Sequence, residues 1–272
     1  MPPPLLHQFR FSHYNEKARW ALDHKRVAHR RRSYLPGMHL MPLLWQSRQR
    51  QVPVLRDGAA LVVGSAAIVA HLEATHPTPA LYPAEPAARQ RALEIQDWFD
   101  SRIGVPLRAA FFHETLDDPA YMAAVFTHHA GRGVRAVYRP IFPTIAAVMR
   151  REMRITPASA DEGRARTREG LDFVAANAAA TGYLVGDGFS VADLAAAAIL
   201  GPTVLPPEFP YLPPQPYAAV LATWLARWSD HPGASWVRDI YRRHRGTSAE
   251  IPVAAGVPPA SARSADSEDR DP

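Results

Sequence analysis

Gly64-Ser65 stands at the head of a segment in which Ile68, Val69 and Leu72 recur at helical spacing. A serine there has two chemical uses. Its hydroxyl can cap the helix by accepting a backbone N–H. Alternatively, with the unpaired N–H groups of the first turn and the positive end of the helix dipole, it forms a cradle for a carboxylate or phosphate. A second set of candidates lies later in the chain: Phe111, Phe112, His113, Tyr121 and Phe126. At helical spacing such side chains either line an apolar pocket or fill a core. The histidines point to no metal, because His128-His129 are adjacent and His113 stands alone, neither in a ligand spacing. There is no cysteine, which removes disulfides, zinc–thiolate sites and redox chemistry on the protein's own thiols.

Holding Ser65 in place requires the elements before it. Val52-Pro53-Val54-Leu55 reads as a strand entered through a proline, which cannot donate to a ladder and so belongs at the strand's first residue. Asp57-Gly58 supplies a two-residue hairpin turn, and Leu61-Val62-Val63 returns as the partner strand. Upstream, Leu5 to Phe9 is a short apolar strand. Ser12 to Lys25 is a loop turning into a helix, with Ala18, Ala21 and Leu22 inside and Glu16, Lys17 and Asp23 outside. Val27 to Leu35 is an edge strand blunted by its arginines, and Pro36 to Arg50 holds one helix around Leu43-Leu44-Trp45. The order β-α-β-α-β-β-α over residues 1–76 predicts a mixed four-stranded sheet with helices on both faces.

The prolines of residues 77–86 mark a linker, and residues 87–245 read as an all-α bundle. Its first helix, Ala87 to Phe112, is amphipathic and kinked by Pro106. Residues 119–153 are expected to be interrupted at Gly131-Arg132-Gly133, Pro140 and Pro143. Ala158 to Ala180 forms a further helix, Pro202 to Pro216 is irregular, and Tyr217 to Ser229 and Gly233 to Arg243 close the bundle. Ser190-Val191-Ala192-Asp193 is a capping box opening an apolar run to Leu200, which predicts a buried central helix and a structural Asp193. Residues 246–272, rich in Ser, Ala, Pro and acids, read as a disordered tail.

The 272 residues carry a formal charge of +5, unevenly spread. Residues 1–80 hold eleven Lys/Arg and four Asp/Glu, 11 − 4 = +7, while residues 247–272 hold two and five, 2 − 5 = −3. A basic first domain steers small anions. Arg30-Arg31-Arg32, without interleaved aromatics, reads as a solvated edge, so no nucleic acid is expected. No apolar run approaches the ~20 residues of a membrane span. MPPPLLHQFRF lacks a signal-peptide plan, which makes a cytoplasmic location the expectation and a membrane partner not.

The motifs V-P-V-L, G-S-A-A-I and G-D-G-F-S-V-A-D-L, in that order around a proline linker, resemble a cytosolic glutathione S-transferase over roughly residues 5–244. The resemblance implies a thioredoxin-like first domain followed by a helical second one, usually in a homodimer, with glutathione as co-substrate and a role in detoxification. It implies a cis bond before Pro53 and pairing of the Val52 backbone with the cysteinyl part of glutathione. Ser65 then holds the γ-glutamyl carboxylate, and Gln51, with Arg50 and His39, lies near the glycyl end. Aligning Lys17 to Leu22 with the family's first helix places Ser12 where serine-type, bacterial-like members carry the hydroxyl that stabilises the thiolate. Tyr14 and Asn15 are alternative donors in that turn, and Ser12 can equally be a helix cap. Phe111, Phe112, His113 and Tyr121 fall where the electrophile pocket is expected. Gly64 departs from the pattern, since the family usually presents Glu or Gln there to meet the ligand's amino group.

Lowering a thiol pKa from ~8.5 by about two units needs ~2.7 kcal/mol. A hydrogen bond to the charged form (about 1.5–3 kcal/mol) and a helix N-terminus (about 0.3–1 kcal/mol) reach that sum. Two functions follow: conjugation of glutathione to small hydrophobic electrophiles, or a non-catalytic adaptor using the same shape to bind a partner.

Overall fold

A computed structural model describes residues 2–252. Strands β1 (Leu5–Phe9), β2 (Arg30–Tyr34), β3 (Val54–Asp57) and β4 (Ala60–Val63) alternate with helices α1 (His13–His24), α2 (Leu40–Ser47) and α3 (Ser65–Thr75) in the expected order. The sheet runs β2-β1-β3-β4, with β1 parallel to β2 and antiparallel to β3, and β3 antiparallel to β4. This is the mixed, thioredoxin-like arrangement. The hairpin loop is Gly58-Ala59, one residue later than expected, because Asp57 pairs with Ala60 in the ladder. Gly58 takes the positive φ (57°), and the Asp57 carboxylate meets His71 on α3 at 2.8 Å.

Eight α-helices follow among the described residues. A long rod is built from α4 (Pro86–Trp98), a π-helical stretch (Phe99–Gly104) and α5 (Val105–Thr115). The widened turn comes just before Pro106, which has no N–H to give to the preceding turn. Gly104 sits in it because the Tyr14 ring packs there: an added Cβ would stand 2.5 Å from the phenol oxygen. Next come α6 (Pro119–Thr127) and α7 (Arg132–Glu152). Pro140 and Pro143 do not interrupt α7, contrary to expectation. Both are exposed, as are Ala136 and Arg139, whose freed carbonyls water can serve. Helices α8 (Pro157–Asn177), α9 (Val191–Leu200), α10 (Ala219–Ala226) and α11 (Pro232–His244) complete the bundle.

Every residue of α9 is buried. Its start is satisfied internally, as the capping box predicts: Asp193 accepts from the Ser190 N–H and hydroxyl at 2.9 Å and from the Leu184 N–H at 2.8 Å. One core joins both halves, running from Leu6, Trp20 and Ile68 to Leu194, Ile199 and Val237. Trp20 stacks on Phe189 and tilts against Tyr241, while its indole N–H donates to the His244 carbonyl.

The expected outer face of α1 is buried. Glu16, Lys17 and Arg19 have no exposed surface, because α9 and the π-helical stretch pack on α1 while Asp100 and Arg245 supply ionic partners. Lys17 pairs with Asp100; Glu16 accepts from Arg19 and Arg245; Asp23 accepts from Arg31 and Arg245. Arg31 is therefore an inward member of the basic run, while Arg30 and Arg32 face solvent at the edge. The tail expectation is corrected over residues 246–252. The Ala249 N–H donates to Asp23 at 2.8 Å, and His29 and Glu250 form a parallel bridge. The rest of the expected tail lies outside the described residues.

Removing one member of a buried ion cluster strands its partner charge, at a cost of about 3–5 kcal/mol. Arg245→Met should lower the unfolding free energy by that amount in a urea titration. Burial raises the Asp23 carboxyl, but Arg245, Arg31 and the Ala249 N–H outweigh it and hold the group below the usual range. Its stabilisation is thus complete above the unfolded value near pH 4 and is lost as pH falls through the depressed folded value. Unfolding measured across the acid range should show a shallower pH dependence in Arg245→Met than in wild type.

Candidate active site

A cavity of about 1420 Å³ opens between the ends of β1 and β3 on one side and α5, α6 and α7 on the other. Its sheet-side wall starts at the turn after β1. Arg19, fully buried, fixes that turn: its guanidinium donates to the Gln8 side chain at 2.8 Å and to the carbonyls of Phe9 and Arg10 at 3.0 and 3.1 Å. The next residue but one, Ser12, is extended, N-caps α1 and lines the cavity. Its Oγ accepts the Asn15 N–H at 3.4 Å, which leaves the hydroxyl proton free to donate. Both uses of Ser12 considered from sequence are thus compatible.

The other two candidates in the turn differ. Tyr14 lines the cavity, but its hydroxyl donates to the Asp100 carbonyl at 2.6 Å, and burial holds the phenol well above its ordinary pKa. Its one proton is committed. Asn15 is fully buried outside the cavity lining, and neither its amide nitrogen nor its oxygen has a hydrogen-bond partner among the described residues. His13, which sequence reasoning passed over, is buried against the cavity. Burial first, then Arg108 and Lys17, push its pKa down to about 3, so the imidazole is neutral at physiological pH.

Gln51, Val52, Pro53, Gly64 and Ser65 all line the same wall. The Val52–Pro53 peptide bond is cis, as the resemblance implies. Val52 lies outside β3, and its N–H and C=O have no backbone partner among the described residues. The Gly64 N–H donates to the Pro53 carbonyl at 2.9 Å, which brings the head of α3 beside the proline. Gly64, not Ser65, is the N-cap residue. Ser65 is the first helical residue, and its hydroxyl has no hydrogen bond among the described residues. Plain capping therefore does not account for it. The N–H groups of Ser65, Ala66 and Ala67, all on the cavity wall, precede the first intrahelical bond, from Ile68 to Gly64. Arg50 and His39 line the cavity near Gln51, with His39 edge-on to Phe9 at 4.8 Å.

The opposite wall is apolar. Phe111 and Phe112 line it as expected, with Phe126, but His113 and Tyr121 do not. On α5 the lining positions are 105, 107, 108, 111 and 112, and His113 falls outside them. On α6 they are 122, 125 and 126; Tyr121 turns toward the core, its hydroxyl 3.4 Å from the Pro214 carbonyl. Helix α7 adds Ile141, Ile145, Val148 and Met149, which sequence reasoning missed.

Two family descriptions match the chain: glutathione S-transferase, N-terminal domain, over residues 6–80, and glutathione S-transferase, C-terminal domain, over residues 157–233. The chain belongs to the glutathione S-transferase family. Among solved structures, a glutathione S-transferase from Rhodospirillum rubrum is 19% identical over 89% of each chain, with a TM-score of 0.56. One from Methylobacterium radiotolerans, in complex with glutathione sulfonate, is 22% identical over 87% of this chain and 88% of its own, at 0.56. The β-etherase LigF from Sphingobium sp. strain SYK-6 is 20% identical over 88% and 99%, at 0.57. These likenesses establish the fold. A search of curated proteins returns no match.

The geometry also explains Gly64. Its φ of 91° and ψ of 147° lie where side chains are strained, although an added Cβ would meet nothing within 4 Å. Gly64→Ala should therefore cost about 1 kcal/mol or more, read as a shifted denaturation midpoint. Unchanged stability would mean that the entry to α3 relaxes freely.

Proposed function

We propose that the protein is a serine-type glutathione transferase that conjugates glutathione to hydrophobic electrophiles. The observation that supports this most is the convergence of Ser12, the Val52–Pro53 backbone and the open head of α3 on one wall, facing Phe111, Phe112 and Phe126. Glutathione lies along Val52, its γ-glutamyl carboxylate at Ser65 and the α3 N–H groups, and its glycyl end toward Gln51, Arg50 and His39. The thiol gives its proton to solvent, and the Ser12 hydroxyl donates to the thiolate. The thiolate sulfur attacks an electrophilic carbon; with an aryl halide the C–S bond forms and halide leaves with the C–X electron pair. His13, beside Ser12, is neutral and contributes no charge to the thiolate. The reading includes a homodimer and a cytoplasmic location.

Replacing Ser12 with Ala should lower kcat/KM for glutathione and 1-chloro-2,4-dinitrobenzene by about tenfold or more, the size of one hydrogen bond to a charged group. A smaller drop removes Ser12 from the mechanism. The adaptor reading draws on Met41 and Trp45 of α2, which are 78% and 80% exposed. Calorimetry separates the two: glutathione at millimolar concentration should give a saturable heat that Ser65→Ala weakens, and no heat would favour the adaptor.

A further inference from the structure

Arg108 lines the cavity and takes no part in the proposed conjugation. Arg108 lies one helical turn from Val105 and one from Phe111 and Phe112, on the row of α5 that lines the apolar wall. Among the described residues its guanidinium makes no ion pair and no hydrogen bond, and burial disfavours its charged state. The acids that line the cavity do not serve it. Asp100 is held by Lys17, and Glu152 belongs to the far end of α7. A half-buried guanidinium with five donors and no acceptor is costly unless a ligand supplies one.

Resting on the transferase reading, we propose that Arg108 receives an oxyanion carried by the electrophile, so that the second substrate is a bulky aryl or other apolar molecule bearing a carboxylate or chemically similar group. Glutathione's own carboxylates have partners elsewhere, at the head of α3 and near Arg50, both on the sheet side. Arg108 is on the helical side, between the aromatic side chains that would hold the electrophile's apolar body. The cavity, at about 1420 Å³, exceeds the ~300–1,000 Å³ of a typical small-molecule site and accommodates glutathione with a large partner. A planar, bidentate fork suits a carboxylate better than a neutral ring. Arg108 is thus a specificity-determining residue.

Two aryl chlorides of like reactivity test this: 1-chloro-2,4-dinitrobenzene, which is neutral, and 4-chloro-3,5-dinitrobenzoate, each corrected for its uncatalysed rate with glutathione. Wild type should prefer the benzoate, and Arg108→Gln should reduce that preference about tenfold or more, chiefly through KM for the benzoate. An equal fall for both substrates would make Arg108 a thiolate-stabilising group instead and overturn the proposal, as would no change in preference. Equilibrium binding of unreactive 3,5-dinitrobenzoate, followed by calorimetry, needs no turnover. It should weaken about tenfold or more in Arg108→Gln if Arg108 is an anion subsite. If wild type shows no turnover yet binds the benzoate through Arg108, the transferase reading fails and the subsite stands; if wild type does not bind it, the subsite fails. Circular dichroism of Arg108→Gln checks that the variant is folded.

Discussion

The geometry of the cavity depends on the buried guanidinium of Arg19. It binds the carbonyls of Phe9 and Arg10 and the side chain of Gln8, and it is itself held by Glu16 and by the faces of Tyr211 and Phe209. A buried charge is tolerated only when its donors are used, and here using them fixes the loop that carries Ser12. Glu16 in turn accepts from Arg245, and Asp23 from Arg245, Arg31 and the Ala249 N–H. The turn after β1 is thus tied to the end of α11 and to the residues beyond it. The helical half is part of what shapes the sheet-side wall.

The two walls divide the chemistry. Among the described residues, the sheet side presents backbone N–H groups, hydroxyls and the basic side chains of Arg50 and His39, whereas the helical side presents aromatic and aliphatic side chains with Arg108 unpaired among them. The first wall is suited to a fixed, charged and hydrogen-bonding molecule. The second suits an apolar molecule whose shape is less specified. Fold alone does not choose a substrate; in the proposed conjugation that choice falls to the helical wall, to which α5, α6 and α7 contribute lining residues.

Much of the first half was legible in the sequence because strand, turn and helix signals agreed over Val52 to Leu72. The hairpin slipped by one residue, since Asp57 both pairs in the ladder and reaches His71. Local periodicity failed on α1: Glu16, Lys17 and Asp23 look like a solvated face until α9 and Arg245 are brought over them. It failed again on α7, where Pro140 and Pro143 read as breaks but lie on the watered side of a continuous helix. His113 and Tyr121 read as pocket residues from sequence but do not line the cavity, because aromatic content does not say which row of a helix faces it. His13 and Arg108 carried no local signal at all. Their significance comes only from burial and from the partners they lack.

In the proposed conjugation, the wall formed by Ser12 and Val52 holds glutathione with its sulfur ionised. Titrating the ultraviolet thiolate absorbance of enzyme-bound glutathione against pH measures this directly. A midpoint about two units below the ~8.5 of a free thiol is predicted; a midpoint at the free value, with glutathione demonstrably bound, would contradict it.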